Sequence, residues 1–252
     1  MMKKSIFLSA LLCSLFLQAQ KKELVWAEEF NSPTLDSNIW NFSLGDGCPE
    51  LCGWGNRELQ LYTKTNHRLE EGMLYIKAEK IGNEYRSTKI HTKGKKRFQY
   101  GRFEIRAKLA TGQGIWPAFW LLGNNIDQVG WPLCGEIDVL EYVGRAPGEI
   151  FTSLHTKAGH GDYASTKTTP IPNIEEGFHL YAVDWDQDRI QFYVDDVLVY
   201  TFAPEERTQE VWPFDQEFYL LLNLAIGGHF GGEVKDDIFP QEFVIDFIRV
   251  YQ

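Results

Sequence analysis

The chain has 252 residues, of which 44% are hydrophobic and 14% aromatic, and its 25 basic and 35 acidic side chains give a formal net charge of −10. This length is ordinary for one large β-sandwich, which buries a sizeable core without help from metals or disulfides. The acidic balance argues against nucleic acid and anionic membranes as partners. A neutral or weakly charged substrate fits best.

The first twenty residues have the pattern of a secretory signal. Lys3 and Lys4 precede an apolar run over residues 6–17, and Ala19 suits the position before a signal-peptidase cut. The run is shorter than the roughly 20 residues that a membrane-spanning helix needs. We expect a cleaved signal peptide over residues 1–19 and a secreted or periplasmic domain over residues 20–252; a retained anchor is the alternative. Cleavage leaves 23 basic and 35 acidic residues, a net charge of −12.

The remainder reads as β-structure almost throughout. Alternating or aromatic-rich runs are separated by Gly, Asn, Asp and Pro, which is typical of a sandwich or barrel. In chain order these runs are Leu24–Phe30, Leu59–Thr63, Met73–Ala78, Gly101–Leu109, Ile115–Leu122, Gly135–Tyr142, Ile150–His155, Phe178–Asp184, Ile190–Phe202, Phe218–Ile226 and Phe243–Tyr251. A helical period is absent, and at most Pro204–Glu210 forms one turn. The sequence predicts a single all-β domain.

Three cysteines, Cys48, Cys52 and Cys134, follow the signal segment. An exported protein can form a disulfide, and three cysteines allow one bridge or none. The CxxxC spacing has no matching His or Cys pair nearby, which argues against zinc.

Aromatic residues fall into two groups. Alternation places Trp116 and Trp120 on one face of a strand together with Ala118. Trp54 and Trp131 lie in Gly- and Pro-rich loops, where an indole that is not part of the core is suited to stacking on the C–H face of a sugar ring. Packing into the core is the alternative for each of them.

Glu136, Asp138 and Glu141 lie within six residues. A helix would scatter them around its axis, whereas on a strand Glu136 and Asp138 share a face and strict alternation excludes Glu141. All three face one side if a β-bulge inserts one extra residue. We therefore predict a bulge at Leu140, with Ile137 and Val139 on the opposite face and with Glu141 and Val143 in a cleft.

Such a set suits a glycosidase. Retaining enzymes use two carboxyl groups about 5–5.5 Å apart, one as nucleophile and one as acid/base, and crowding of three acids raises at least one pKa. A solvated acidic face or a structural cation site is the general alternative. The surrounding Trp-Pro motifs, at Trp116 and at Trp131, favour a sugar cleft.

The sequence resembles glycoside hydrolase family 16, and within it the laminarinase-like endo-1,3-β-glucanases. The motifs that carry the resemblance, in chain order, are residues 53–60 (GWGNRELQ), 116–120 (WPAFW), 131–141 (WPLCGEIDVLE), 178–185 (FHLYAVDW), 223–228 (NLAIGG) and 246–251 (DFIRVY). These motifs span nearly all of the chain after the signal segment.

The resemblance implies a jelly-roll β-sandwich of the concanavalin A-like lectin/glucanase type, with an open cleft on its concave side. It implies a retaining mechanism with Glu136 as nucleophile, Glu141 as acid/base and Asp138 as assisting acid, without a catalytic cofactor. The extra residue within the carboxylate motif points to the laminarinase branch. By the same resemblance Asn56, Trp116, Trp131 and His155 line sugar subsites; a structural role is the alternative for His155.

Two positions depart from the family pattern. Lys89 stands where relatives commonly have an arginine, and lysine does not make the planar bidentate contact of a guanidinium. His229 and Phe230 follow Gly-Gly where relatives often have Asn-Trp. This difference implies a changed sugar preference at the distal subsite.

A carboxylate on the last predicted strand suggests a second site. Asp246 alternates with apolar residues, so it should be paired or metal-bound. The resemblance implies a structural Ca²⁺ on the convex side, bound by Asp246 with main-chain oxygens near Glu28 and Gly72; an ion pair or hydrogen-bonded Asp is the alternative.

The substrate expected from the sequence is a β-1,3-glucan such as laminarin, and mixed β-1,3-1,4-glucan is compatible. Agarase, carrageenase, porphyranase or lichenase activity on the same fold, a transglycosylase, and a non-catalytic glucan-binding lectin remain as alternatives. The charge of −12 does not favour sulfated polyanions. No oligomer interface is evident in the sequence, so we expect a monomer.

Overall fold

The structure of the protein is a computed structural model that describes residues 22–252; the predicted signal peptide lies outside the described residues. In chain order the strands are β1 (Leu24–Glu28), β2 (Asn41–Ser43), β3 (Gln60–Tyr62), β4 (His67–Glu70), β5 (Met73–Ile81), β6 (Glu84–Ser87), β7 (Lys89–His91), β8 (Gly101–Lys108), β9 (Ile115–Gly123), β10 (Glu136–Glu141), β11 (Glu149–His155), β12 (Lys167–Pro170), β13 (His179–Trp185), β14 (Ile190–Val194), β15 (Val197–Phe202), β16 (Phe218–Ile226) and β17 (Gln241–Tyr251). Two single-turn helices, α1 (Ile126–Val129) and α2 (Gly228–Gly231), and 3₁₀ turns at Cys52–Gly55, Gly161–Tyr163 and Asp236–Ile238 complete the described elements.

The strands form two sheets. The ten-stranded sheet has the order β15-β14-β13-β8-β17-β5-β6-β3, with β1 beside β17 and β4 beside β5, and the seven-stranded sheet has the order β12-β11-β10-β9-β16-β7-β2. Pairing is antiparallel except between β3 and β6. This two-sheet architecture confirms the predicted all-β jelly-roll sandwich.

The core lies between the two sheets. Alternate residues of β8, such as Phe103 and Ile105, pack in one cluster with alternate residues of β9, such as Phe119 and Leu121. Each residue of β16 is buried, because one face of this strand meets the core and the other is covered by side chains on the concave face. That concave layer includes Trp116, Val143 and Phe151 in one cluster, and Leu122, Tyr219 and Leu221 in a second.

The carboxylate strand β10 contains the predicted bulge. Its register with β9 runs from Asp138–Trp120 directly to Leu140–Phe119, and its register with β11 runs from Asp138–Ser153 to Glu141–Phe151. Val139 therefore has no partner on β9, and the bulge comprises the Val139–Leu140 pair where we had predicted Leu140 alone. Ile137, Val139 and Leu140 all pack in the core, while Val143 packs on the concave side, as predicted.

Other details differ from the predicted elements. The run Ile190–Phe202 is a hairpin of two strands, whose turn residues Asp195 and Asp196 both have positive φ, the geometry that a two-residue type I′ turn requires. Pro204–Glu210 contains no helix, and a single hydrogen-bonded turn begins at Thr208, whose carbonyl accepts the Trp212 main-chain N–H at 2.8 Å.

Of the cysteines, Cys48 and Cys52 are disulfide-bonded, and Cys134 is a buried free thiol. Within residues 22–252 no helix has the length and apolar character needed to cross a membrane.

Candidate active site

Three carboxyl groups of β10 lie on the concave face of the seven-stranded sheet, and the register of the sheet sets which residues of the neighbouring strands stand beside each of them. Glu136 pairs with His155 on β11, Asp138 pairs with Ser153, and Glu141 pairs with Phe151. On the other side, Ala118 of β9 is the partner of Glu141. The bulge places the Glu141 side chain on the same face as Glu136 and Asp138, so the three acids project from one strand into one cleft.

Glu136 begins β10 and is held by an indole. Trp131 Nε1 donates to Glu136 Oε2 at 2.6 Å, and the Trp131 ring lies against His155 and His160, with centroids 5.8 and 5.2 Å away. The Trp131 side chain is 46% exposed, which leaves ring surface open to a ligand. Gly135 precedes Glu136 with φ +76°, and a Cβ there would lie 2.9 Å from Pro213, so this tight entry to the strand requires glycine.

Asp138 lies deeper, with 3% of its surface exposed. His155 Nε2 approaches its Oδ2 at 3.2 Å, and the Gly161 main-chain N–H donates to His155 Nδ1 at 3.1 Å. The Gly161 contact requires Nδ1 without a proton, so it fits the neutral tautomer that carries its proton on Nε2. The Nε2–Oδ2 contact is an ion-pair distance, and among residues 22–252 Asp138 Oδ2 has no hydrogen-bond partner of good geometry.

Glu141 is 8% exposed and has two side-chain donors. Trp116 Nε1 donates to Oε1 at 3.1 Å, and the Ser153 hydroxyl lies 3.3 Å from Oε2. Ser153 also shares a 2.9 Å hydrogen bond with Thr166. These contacts fix the carboxyl group of Glu141 while leaving it on the cleft side of the sheet.

Burial and mutual repulsion change the acidity of this cluster. Burial and the charge of Glu136 raise the pKa of Asp138 to about 7. Burial and the charge of Asp138 raise the pKa of Glu141 to about 8. Burial opposes the charged form of His155, but Asp138, Glu136 and Glu141 outweigh it and raise the pKa of His155 to about 10. At neutral pH Glu141 therefore holds a proton, as a general acid requires.

A second part of the cleft extends over β16 and β7, and we call it the β7 arm; it is lined by Trp54, Lys89, Trp120 and Asn223. Lys89 pairs with Asn223, Asn223 with Ala118, and Ala118 with Glu141, so the arm continues the Glu141 row across the sheet. The Lys89 ammonium lies over the rings of Trp54 and Trp120, 4.7 and 4.9 Å from their centroids.

A hydrogen-bonded carboxylate stands beside the arm. Glu58 accepts from Gln60 Nε2 at 2.7 Å and from the Tyr62 hydroxyl and Asn56 Nδ2 at 3.2 Å each. The Asn56 carbonyl also accepts the His229 main-chain N–H at 2.8 Å.

The structure brings all eight residues predicted for catalysis and sugar binding into direct contact with another residue of the site: Glu136, Asp138, Glu141, Trp54, Trp116, Trp131, His155 and Asn56. Asn56 does so at the rim, through its hydrogen bond to Glu58. Sequence reasoning did not single out Glu58, Ser153 or Asn223 as site residues, although Glu58 and Asn223 lie within the motifs that carry the family resemblance. Ser153 follows from the register of a neighbouring strand, which no local pattern reveals.

The convex-side residues differ from their predicted setting. A register shift between Ile245 and Phe247 places an irregularity at Asp246, so simple alternation was wrong there, and the half-exposed Asp246 carboxylate pairs with Arg106. The Glu28 carboxylate accepts from the Phe30 main-chain N–H and from Trp40 Nε1, at 3.0 Å each. A Cβ on Gly72 would lie 3.0 Å from Asn31 Oδ1 and 4.0 Å from the Glu29 carbonyl.

Comparison with known proteins gives consistent matches. Residues 55–237 match the model of glycosyl hydrolases family 16. A beta-glucanase of Rhodothermus marinus is 38% identical over 100% of this chain and 95% of its own length. A glucan endo-1,3-beta-glucosidase of Cryptopygus antarcticus is 37% identical over 84% of each chain. The crystal structure of a laminarinase from Flavobacterium sp. UMI-01 is 62% identical and superposes with a TM-score of 0.90, over 91% of this chain and 100% of that one.

Proposed function

The chain belongs to glycosyl hydrolases family 16, and from that premise we propose that it is a retaining endo-β-1,3-glucanase acting on laminarin-type glucans. The observation that carries the proposal is the bulge at Val139–Leu140. Because of this bulge, Glu136, Asp138 and Glu141 all face the same cleft. Two carboxyl groups flanking one bond are the requirement of a double displacement.

Glu136 and Glu141 divide the chemistry between them. In the first step Glu141 donates its proton to the glycosidic oxygen while a Glu136 oxygen attacks the anomeric carbon, which breaks the C–O bond and forms a glycosyl ester. In the second step Glu141, now a carboxylate, takes a proton from water, whose oxygen attacks the same carbon and releases Glu136. Both stereochemical inversions occur at one carbon, so the product keeps the β configuration.

The surroundings suit these roles. Trp131 fixes Glu136 from the cleft side, and Trp116 and Ser153 fix Glu141. Asp138, between the two, raises the pKa of Glu141 through its charge and serves as the assisting acid. The raised pKa supports Glu141 as the acid and leaves the nucleophile to Glu136.

A neutral glucan suits the rest of the cleft. Exposed ring surface on Trp131 and the indoles of the β7 arm suit the C–H faces of glucose rings, and a net charge of −10 for the whole chain does not favour a polyanion. The names of the relatives, beta-glucanase and laminarinase, support β-1,3-glucan as substrate. Mixed β-1,3-1,4-glucan is proposed as a second substrate.

The test is digestion of laminarin, lichenan, curdlan and agarose, with products separated by chromatography. The proposal expects laminarin to yield a ladder of short oligosaccharides, because cleavage is internal. Glu136→Gln should abolish product formation, whereas Glu149→Gln, which changes a glutamate of the neighbouring strand β11, should retain it. Cleavage of agarose alone would rule out β-1,3-glucan as the substrate. Glucan binding without products from any of the four polymers would rule out the enzyme and support a glucan-binding lectin.

Three further expectations belong to the same proposal. A signal peptide at residues 1–19 would export the protein, and a monomer would suffice because the carboxylates and the aromatic residues of the cleft come from one chain. A structural Ca²⁺ at Asp246 would use the hard oxygen ligands that this ion prefers, with main-chain oxygens near Glu28 and Gly72, and it would compete with Arg106 for the Asp246 carboxylate. A higher melting temperature with Ca²⁺ than with EGTA, lost in Asp246→Ala, would support the ion.

A further inference from the structure

The two side-chain partners of Glu141 differ in chemical kind. Trp116 Nε1 donates to Oε1 at 3.1 Å, and an indole nitrogen can only donate. The Ser153 hydroxyl, 3.3 Å from Oε2, can either donate or accept. A proton on Glu141 therefore cannot lie between Oε1 and the indole, whereas Oε2 can bond to Ser153 with a proton or without one. Of these two contacts, the one with Ser153 tolerates both protonation states of the acid.

Ser153 has a second partner at the edge of the sheet. Its hydroxyl lies 2.9 Å from that of Thr166, the residue directly before the edge strand β12. Two main-chain hydrogen bonds between Leu154 and Ser165, at 3.1 and 3.2 Å, hold the two segments side by side. Ser153 is 3% exposed, whereas Thr166 is exposed. The hydroxyl chain of Ser153 and Thr166 therefore connects the buried Glu141 to solvent at the outer edge of the sheet.

Retaining hydrolysis needs Glu141 in both protonation states, because it gives its proton to the leaving oxygen and recovers one from water. An ionised Glu141 only accepts, so Thr166 then donates to Ser153 and Ser153 donates to Oε2, and each bond strengthens the next. When Oε2 carries a proton, the same chain can run outward from Glu141 to Ser153, to Thr166 and to water. Only the orientations of the two hydroxyl groups change, and neither O–H bond breaks.

We propose that Thr166 is a positioning residue for the acid/base, and that with Ser153 it forms a hydroxyl chain that reverses its donor direction as Glu141 loses and regains its proton. This inference rests on the proposed glucanase function, in which Glu141 is the acid/base. Burial is the largest cause that raises the pKa of Glu141, and the hydrogen bond from Ser153 acts in the opposite direction. A Ser153 hydroxyl that turns away from Oε2 therefore leaves Glu141 a weaker acid.

A threonine that only joined the β12 segment to β11 would affect the stability of the sheet and not the strength of the acid. The two roles can be separated because leaving groups differ in their need for a proton. A sugar hydroxyl leaves only when its oxygen receives a proton, whereas 2,4-dinitrophenolate leaves without one. A weaker Glu141 acid therefore slows cleavage of a glucan and spares cleavage of an activated aryl glycoside.

The test measures kcat/KM on laminarin and on 2,4-dinitrophenyl β-laminaribioside. Thr166→Val keeps the shape of the side chain and should lower kcat/KM on laminarin about 3-fold, move its alkaline limb up, and leave the aryl glycoside nearly unaffected. Ser153→Ala should give the same pattern with a loss of about 10-fold or more, because the donor to the carboxylate itself is removed. Thr166→Ser should restore the parent values. Thr168→Val, at an exposed position opposite Phe151, is the matched control and should behave as the parent.

Equal losses on the two substrates in Thr166→Val would show a merely structural link and overturn the proposal. Parent-like kinetics on laminarin, an alkaline limb that does not rise, or no rescue by Thr166→Ser would also overturn it. Should the parent cleave neither substrate, the proposed function fails separately. NMR titration of ¹³C-labelled glutamate, with Glu141 assigned by its absence in Glu141→Gln, then measures the pKa of Glu141 without a substrate. A higher pKa in Thr166→Val would support the proposal, and an unchanged pKa would overturn it.

Discussion

Replacing Asp138 by asparagine removes one charge from the buried cluster and keeps the shape of the side chain. In the parent, burial is the first cause that raises the pKa of Glu141 to about 8, and the charge of Asp138 is the second. Without that charge the Glu141 carboxylate forms more easily, so its pKa should fall. Activity that requires protonated Glu141 should then be lost at a lower pH.

The size of the change follows from the strand geometry. The bulge leaves two effective strand steps between Asp138 and Glu141, or roughly 7 Å at about 3.3 Å per step. At an effective dielectric constant of about 20, two unit charges at that distance interact by about 2 kcal/mol, which corresponds to roughly 1.5 pH units.

The assay is the pH dependence of kcat/KM on laminarin for the parent and for Asp138→Asn. The alkaline limb should move down by roughly 1.5 pH units, and kcat at the optimum should also fall because Asp138 assists the nucleophile. An alkaline limb that stays in place, or moves up, would refute the assignment of that limb to Glu141 under the influence of Asp138.

Three further outcomes are expected. The pKa of Glu141 is raised from 4.5 to about 8 in the folded protein, so the unfolded chain releases a proton that the folded protein keeps, and stability falls as pH rises through this window. Glu141→Gln should therefore raise the free energy of unfolding relative to the parent at alkaline pH by up to about 5 kcal/mol, seen as a higher melting temperature, with little effect below pH 4.5. Trp116→Phe removes the donor to Glu141 Oε1 and should move the alkaline limb up by up to about one pH unit; a downward shift in the same titration would contradict this. Gly144→Ala would place a Cβ 1.8 Å from the Gly112 carbonyl oxygen and should cost about 3 kcal/mol or more, seen as a melting temperature lower by roughly 10 °C; an unchanged melting curve would show that the backbone relaxes there.

The carboxylate motif was predictable because a strand has a period of two. Glu136 and Asp138 satisfy that period and Glu141 breaks it, so a shared cleft required one inserted residue, and the register of β10 contains one. The same reasoning failed at Asp246, where we assumed unbroken alternation and a second irregularity displaced the side chain towards Arg106. The sequence reveals a bulge only when functional side chains that precede it and follow it must face the same side of the strand.

Elements without an internal pattern were missed. Strands β2 and β7 have three residues each, too few to display alternation, and they exist because neighbouring strands offer hydrogen-bonding partners. The setting of Lys89 could not be foreseen for a related reason. The two indoles that contact it come from Trp54 and Trp120, far away in sequence, and only the assembled sheet places the ammonium over both rings, 4.7 and 4.9 Å from their centroids.

The central claim is that Glu136 forms a covalent bond to the sugar. The most direct test is mass spectrometry of the protein after reaction with a 2-deoxy-2-fluoro-β-laminaribiosyl fluoride, which slows release of the glycosyl ester. The account predicts one glycosyl adduct per chain, on the peptide that contains Glu136, and none in Glu136→Gln. An adduct on another residue would contradict the assignment, and a product of inverted configuration with no adduct would contradict the mechanism.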